Sequence, residues 1–158
     1  MDQLSQVAYF PTHVYAIDKS EYLDAVKAVS DKYLEAVRKP STMTTMTMTY
    51  SHEESIKDFA EYVSQTAWNI LKSQGYAMDK LATYFLEMWT QEHNTFSDMT
   101  YHVHGMGAQI SAFYFLDTPE NGCQMVIHDP RPTKMMVNLP PEDDTKPTDA
   151  SFNVMFTP

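Results

Sequence analysis

The chain changes hydrophobic period near residue 80, and this restricts its fold more than any other feature of the sequence. Before that point apolar residues recur at the three-and-four spacing of a helix face; after it they alternate or cluster in short runs bounded by turn residues, as strands do. Leu23, Val26, Val29, Tyr33, Leu34 and Val37 fall on one helical stripe, with Asp18 or Ser20 available as its cap and Pro40 as its stop. Lys19, Asp24, Lys27, Asp31 and Glu35 occupy the opposite stripe and read as a solvated face. A second helix is predicted from Ser51-His52-Glu53-Glu54, a Ser-x-x-Glu capping box in which each side chain accepts the other residue's amide N–H. Ile56, Phe59, Ala60, Val63, Ala67, Ile70 and Leu71 continue its apolar face, and Gly75 stands where a left-handed residue closes a helix.

Strands are expected at residues 12–17, ahead of the first helix, and in the Thr/Met run 41–49, where threonines line one side and the methionines read as core filling rather than as a metal or cofactor box. Further strands are predicted at 81–90, 101–104, 109–116, 124–128, 134–138 and 152–156. Turn chemistry separates them, at Thr118-Pro119-Glu120-Asn121-Gly122 and at Pro130-Arg131-Pro132, and Asn121-Gly122 between apolar runs is a hairpin signal. A helical front over 1–80 followed by antiparallel strands over 81–158 is an α+β arrangement, with helices packed on a sandwich or jelly roll. A length of 158 residues suits a single domain, and no internal repeat is present. The strand at 152–156 has no return strand after it, and an open edge is an aggregation liability, so the domain is expected to lack its last strands at a truncated C-terminus.

A formal charge of -10 argues against a surface that follows phosphate backbones, so nucleic acid is not an expected partner. Beyond Lys80 the only basic residues are Arg131, Lys134 and Lys146, a scarcity that bears on any anionic ligand. The single cysteine, Cys123, excludes an internal disulfide framework and reads as a small buried strand residue rather than a reactive thiol. No signal-like segment and no apolar run of membrane-spanning length is present, which predicts a soluble, cytoplasmic chain with no membrane partner.

Six histidines are present, and two of them, His102 and His104, stand at i and i+2 of a predicted strand. That spacing puts both imidazoles on one face, where they can meet at one metal; the bland alternative is a pair of surface histidines. Gly105 and Gly107 follow directly, either to let backbone approach a bound group or simply to turn the chain. Neutral imidazole suits iron, zinc, copper or nickel, so the ligands by themselves do not choose the metal. His128-Asp129-Pro130 reads first as a strand ending in an Asp-Pro turn and second as a source of a third ligand. Tyr101 and Tyr114 read as strand packing before they read as ligand contacts. His13, His52 and His93 show no partner pattern and are expected to be structural or surface residues.

Glu87-Met88-Trp89, Tyr101-His102-Val103-His104, Ile110-Ser111-Ala112-Phe113-Tyr114-Phe115-Leu116 and His128-Asp129-Pro130-Arg131-Pro132 occur in that order. In this combination the chain resembles the 2-oxoglutarate-Fe(II) oxygenase family common in marine bacteria and their tailed phages, whose core is similar to that of prolyl hydroxylases. The resemblance spans roughly residues 9–158 and is strongest over 87–132. It implies a double-stranded β-helix, or jelly-roll, core with N-terminal helices packed on it, and an Fe(II) site on the inner face of the roll. His102 matches the first ligand of the family's His-x-Asp/Glu motif. The third place of that motif holds His104 instead of a carboxylate, a departure that leaves open whether His104 binds the metal, neighbours it or replaces the usual acid. The family's distal histidine and the basic residue that grips 2-oxoglutarate fall on strands later than Pro158.

The implied activity is hydroxylation of a peptidyl or small-molecule substrate, with 2-oxoglutarate as cosubstrate giving succinate and CO₂. A buried distal carboxylate of that cosubstrate needs a paired cation or several strong donors, and only Arg131, Lys134 and Lys146 are available among the strands. Arg131, between two prolines, reads as structural. Two rivals stand beside this reading: a cupin-like metalloenzyme that uses no 2-oxoglutarate, and a non-catalytic jelly-roll binding or virion-associated protein whose histidines hold no metal. Oligomeric state is not encoded in any pattern of the chain.

Overall fold

The computed structural model describes residues 5, 7–39, 42–105, 107–120 and 122–157. It is α+β, with two helices and two small antiparallel sheets: α1 (Leu23–Glu35), β1 (Thr44–Met46), α2 (Lys57–Ser73), β2 (Gln91–His93), β3 (Met125–His128) and β4 (Asn153–Phe156). The chain divides into two compact units, a larger one at Lys19–Asp117 and a smaller one made of Met1–Asp18 with Thr118–Pro158. No helix among the described residues is long and apolar enough to cross a membrane.

In the larger unit α1 and α2 form where the helical period predicts them. Val26, Val29 and Leu34 of α1 are buried, as are Phe59 and Leu71 of α2 and Ile56 just before it. Each such side chain contributes about 1.5–3 kcal/mol of burial. The core continues through Tyr50, with Tyr22, Tyr33, Val63, Met88, Tyr114 and Leu116 packed on it. Tyr114 is therefore a packing residue, as expected: its ring lies 5.1 Å from Phe59, and its hydroxyl donates to the Lys19 carbonyl at 2.6 Å.

Both helices begin and end by local chemistry, though not always the predicted kind. A 3-10 turn at Ser20–Tyr22 leads into α1, which ends at Glu35; the predicted stop, Pro40, lies outside the described residues. The capping box expected at Ser51 is not made. A 3-10 turn at Glu54–Ile56 precedes α2, and its cap residue Glu53 forms no side-chain cap bond. The cap of that turn falls at Glu53, which leaves Ser51 ahead of the cap position, and Glu54 lies 3.8 Å from Lys57 Nζ; the Glu53 carboxylate accepts Lys32 Nζ at 2.9 Å and Tyr33 OH at 2.7 Å. These two bonds hold Glu53 below the usual carboxylate range. The far end of α2 closes as predicted on Gly75 at φ +96°. Tyr76 N–H donates to Leu71 O (3.2 Å) and Gly75 N–H to Lys72 O (3.0 Å), the two bonds of a Schellman motif.

β1 and β2 pair as Thr44↔His93, Thr45↔Glu92 and Met46↔Gln91, and pairing runs on in irregular form. Thr47 N–H donates to Thr90 O (3.0 Å) and Tyr50 N–H to Met88 O (2.9 Å). Thr90 N–H and Met88 N–H donate to hydroxyls instead, Thr47 Oγ1 at 2.9 Å and Thr49 Oγ1 at 3.0 Å. This corrects the sequence reading of the run 41–49: Thr45 and Thr47 are buried, each 7% exposed, while Met43, Met46 and Met48 are 52%, 49% and 73% exposed. On the inward face the Thr47 hydroxyl provides the acceptor that the buried Thr90 N–H needs, which a thioether would provide only weakly. Tyr50 OH completes the buried network at 2.6 Å from Thr90 Oγ1.

Several predicted strands are not regular strands. Residues 81–90 pair only through Met88 and Thr90, and 81–83 are instead tied to α2, with Trp68 Nε1–H donating to Leu81 O (2.9 Å) and Ser64 Oγ to Thr83 O (2.9 Å). Residues 12–17, 101–104 and 109–116 carry no strand assignment.

In the smaller unit β3 and β4 occupy the ends of the predicted 124–128 and 152–156 strands, paired from Met125↔Phe156 to His128↔Asn153. Pro119–Gly122 forms a turn closed by Gly122 N–H to Pro119 O (2.9 Å); a Cβ at Gly122 would lie 2.6 Å from Pro119 Cγ, so glycine is required there by space. The Asn121 of the predicted hairpin signal lies outside the described residues. Cys123 follows this turn and is exposed, not buried in a strand. The strand expected at 134–138 is replaced by a 3-10 turn, Pro132–Met136, because proline at its first position presets φ and lacks the N–H that a ladder would use.

Candidate metal centre

Residues 101–104 lie in the larger unit, in a segment without strand pairing. Even so, the imidazoles of His102 and His104 meet: their centroids are 5.1 Å apart and the rings stand at 66°. His102 Nδ1 lies 2.7 Å from Thr100 O. A carbonyl oxygen only accepts, so Nδ1 carries a proton; in the neutral ring that leaves the lone pair on Nε2, the arrangement that orients a metal-binding histidine. His104 leans on Trp89, with centroids 5.8 Å apart.

Both histidines are exposed. The predicted glycines turn the chain beyond them: Ala108 N–H donates to Gly105 O at 3.2 Å, and Gly107 sits at φ +93°. The donor set suits a metal in part. Two imidazoles supply two positions of an open site, but the two-histidine, one-carboxylate triad of non-haem iron is not assembled, since no group of three or more His, Cys, Asp or Glu suited to a metal occurs among the described residues.

The remaining candidates are placed as follows. His128 ends β3 in the smaller unit, with its ring 6.2 Å from Phe152. Asp129 then accepts the Arg131 backbone N–H at 2.9 Å, which is the Asp-Pro turn expected of this motif. Arg131 is structural, as predicted: its Nε and Nη2 donate to the Asp129 carboxylate at 2.9 and 2.5 Å. Lys146 pairs with Asp143 at 3.1 Å, and Lys134 donates to the backbone carbonyl of Asp149. Tyr101 is exposed. His13 stacks near Tyr15, His52 lies 3.5 Å from Tyr33 OH, and His93 Nδ1 lies 3.3 Å from Thr44 Oγ1 and 3.2 Å from Ser97 Oγ, in keeping with surface or structural roles.

Sequence reading noted Trp89 within a motif and missed its contact with His104. No local pattern signals that contact, which depends on the path of the backbone between the two residues. Comparisons with protein-family models, curated proteins and solved structures find no match for this chain.

Proposed function

We propose that the chain is a non-haem Fe(II), 2-oxoglutarate-dependent oxygenase of jelly-roll type, acting on a peptidyl or small-molecule substrate, with His102 and His104 as two metal ligands. The observation that carries this reading is the contact of the two imidazoles, with His102 Nδ1 tied to Thr100 O and its Nε2 left for a metal. The ordered motifs from Glu87 to Pro132 supply the oxygenase class. When bound, iron with 2-oxoglutarate supplies the oxygen activation; His102 and His104 hold the metal, and Trp89 supports the His104 ring.

Thermal unfolding with Mn(II) or anaerobic Fe(II) tests the centre. At a hundredfold excess over Kd a metal that binds only the folded chain adds about 2.7 kcal/mol, a rise of several degrees in Tm for a chain of this size. His102→Ala and His104→Ala should each abolish that rise, and a rise that survives both would remove the assignment. Succinate release from 2-oxoglutarate and O₂ then tests the chemistry, because a metal-dependent rise without succinate favours a cupin-like metalloenzyme. The exposure of both histidines and the incomplete ligand set favour a second reading, a non-catalytic binding protein, for which metal leaves Tm unchanged.

A further inference from the structure

The smaller unit holds a cavity of about 340 Å³ lined by Met135, Val137, Leu139, Pro141 and Phe152, with Lys134 at its wall. Met135 and Leu139 are 74% and 76% exposed, so apolar surface faces water around a single cation. The other two cations of this unit are matched, Arg131 by Asp129 and Lys146 by Asp143. Among the described residues Lys134 makes no direct ion pair, although its charge acts on the Asp129 carboxylate; one of its three donors goes to the neutral carbonyl of Asp149. An apolar wall beside an ammonium with donors to spare is the chemistry that recognises a small molecule with a hydrocarbon body and one carboxylate. We propose that this cavity binds such an acid, its carboxylate on Lys134 and its hydrocarbon against Leu139 and Phe152.

The cavity's volume sits at the small end of ligand pockets, which suits a short free acid rather than a long lipid. Membrane docking is disfavoured by charge, because a chain of -10 overall meets an anionic lipid surface over many residues, whereas a single carboxylate needs only the one ammonium. The site is independent of the histidine pair.

Sodium octanoate, kept below micelle-forming concentrations, is the probe, with 1-octanol and succinate as the neutral and the tailless controls. The readout is the Met135 methyl resonance of the full chain labelled at methionine methyls, assigned with Met135→Leu. Octanoate should shift that resonance saturably and bind more tightly than octanol or succinate. Lys134→Gln should weaken octanoate by about tenfold, the loss of one charge-assisted contact, and leave octanol unchanged. Leu139→Gln should weaken octanoate and octanol together. An unmoved Met135 methyl, equal binding of octanol or succinate, or full affinity in Lys134→Gln would each overturn the site.

Discussion

At Asp129 a single carboxylate closes a turn and is itself held ionised. Its Oδ1 accepts the Arg131 backbone N–H and Nε, and its Oδ2 accepts Nη2. The Arg131 guanidinium, helped by the turn amide, brings the carboxyl down to about 2. A depressed folded pKa contributes stability that is present above the unfolded value of about 3.9 and lost as pH falls through about 2. Carboxyl NMR should therefore show Asp129 titrating near 2, and in Arg131→Met returning toward the ordinary range; an unmoved midpoint would assign the effect elsewhere. Tyr50 is a second residue of this kind. Its buried hydroxyl shares a 2.6 Å bond with Thr90 Oγ1, so Tyr50→Phe should cost about 1–3 kcal/mol in urea unfolding by leaving Thr90 short of a partner. His-x-His was legible at this scale because it needs only adjacent letters. The Thr100 carbonyl and Trp89 were not, since their contacts depend on the path of the backbone.

The elements divide by how local their causes are. The two helices were legible because one stripe of apolar residues at a fixed period defines each, and the Gly75 stop because one φ decides it. Gly75→Ala, forced to φ +96°, should lower stability by about 1 kcal/mol, measured as a drop in Tm. The capping box failed because a 3-10 turn capped at Glu53 leads into α2, which leaves Ser51 ahead of the cap position. In the Thr/Met run alternation was legible and its direction was not: hydrophobicity sends methionine inward, whereas the buried Thr90 amide takes the Thr47 hydroxyl as its acceptor there. Thr47→Val should thus cost about 1–3 kcal/mol, and Met48→Gln should stay within about 0.5 kcal/mol, in the same urea assay. The reverse order would restore the methionine-inward reading.

Across the whole molecule the larger unit draws its stability from the contact of α1, α2 and Tyr50 around Ile56, which is 1% exposed. Ile56→Ala should cost about 2–5 kcal/mol, read from denaturant midpoints at constant m-value. The smaller unit holds together by backbone pairing of β3 with β4 and by prolines and turns, and it leaves much of its apolar surface in water. Sequence alone determined the α+β class, both helices, the ends of β3 and β4, and the histidine pair, because periodicity and local turn chemistry act within a few residues. Tertiary structure alone decided which face of the β1 run is buried, that residues 134–136 turn instead of extending, that Lys134 donates to the Asp149 carbonyl, and that His104 rests on Trp89. Those outcomes depend on competition among groups far apart in the chain for the same amides, carboxylates and space, which no local pattern records.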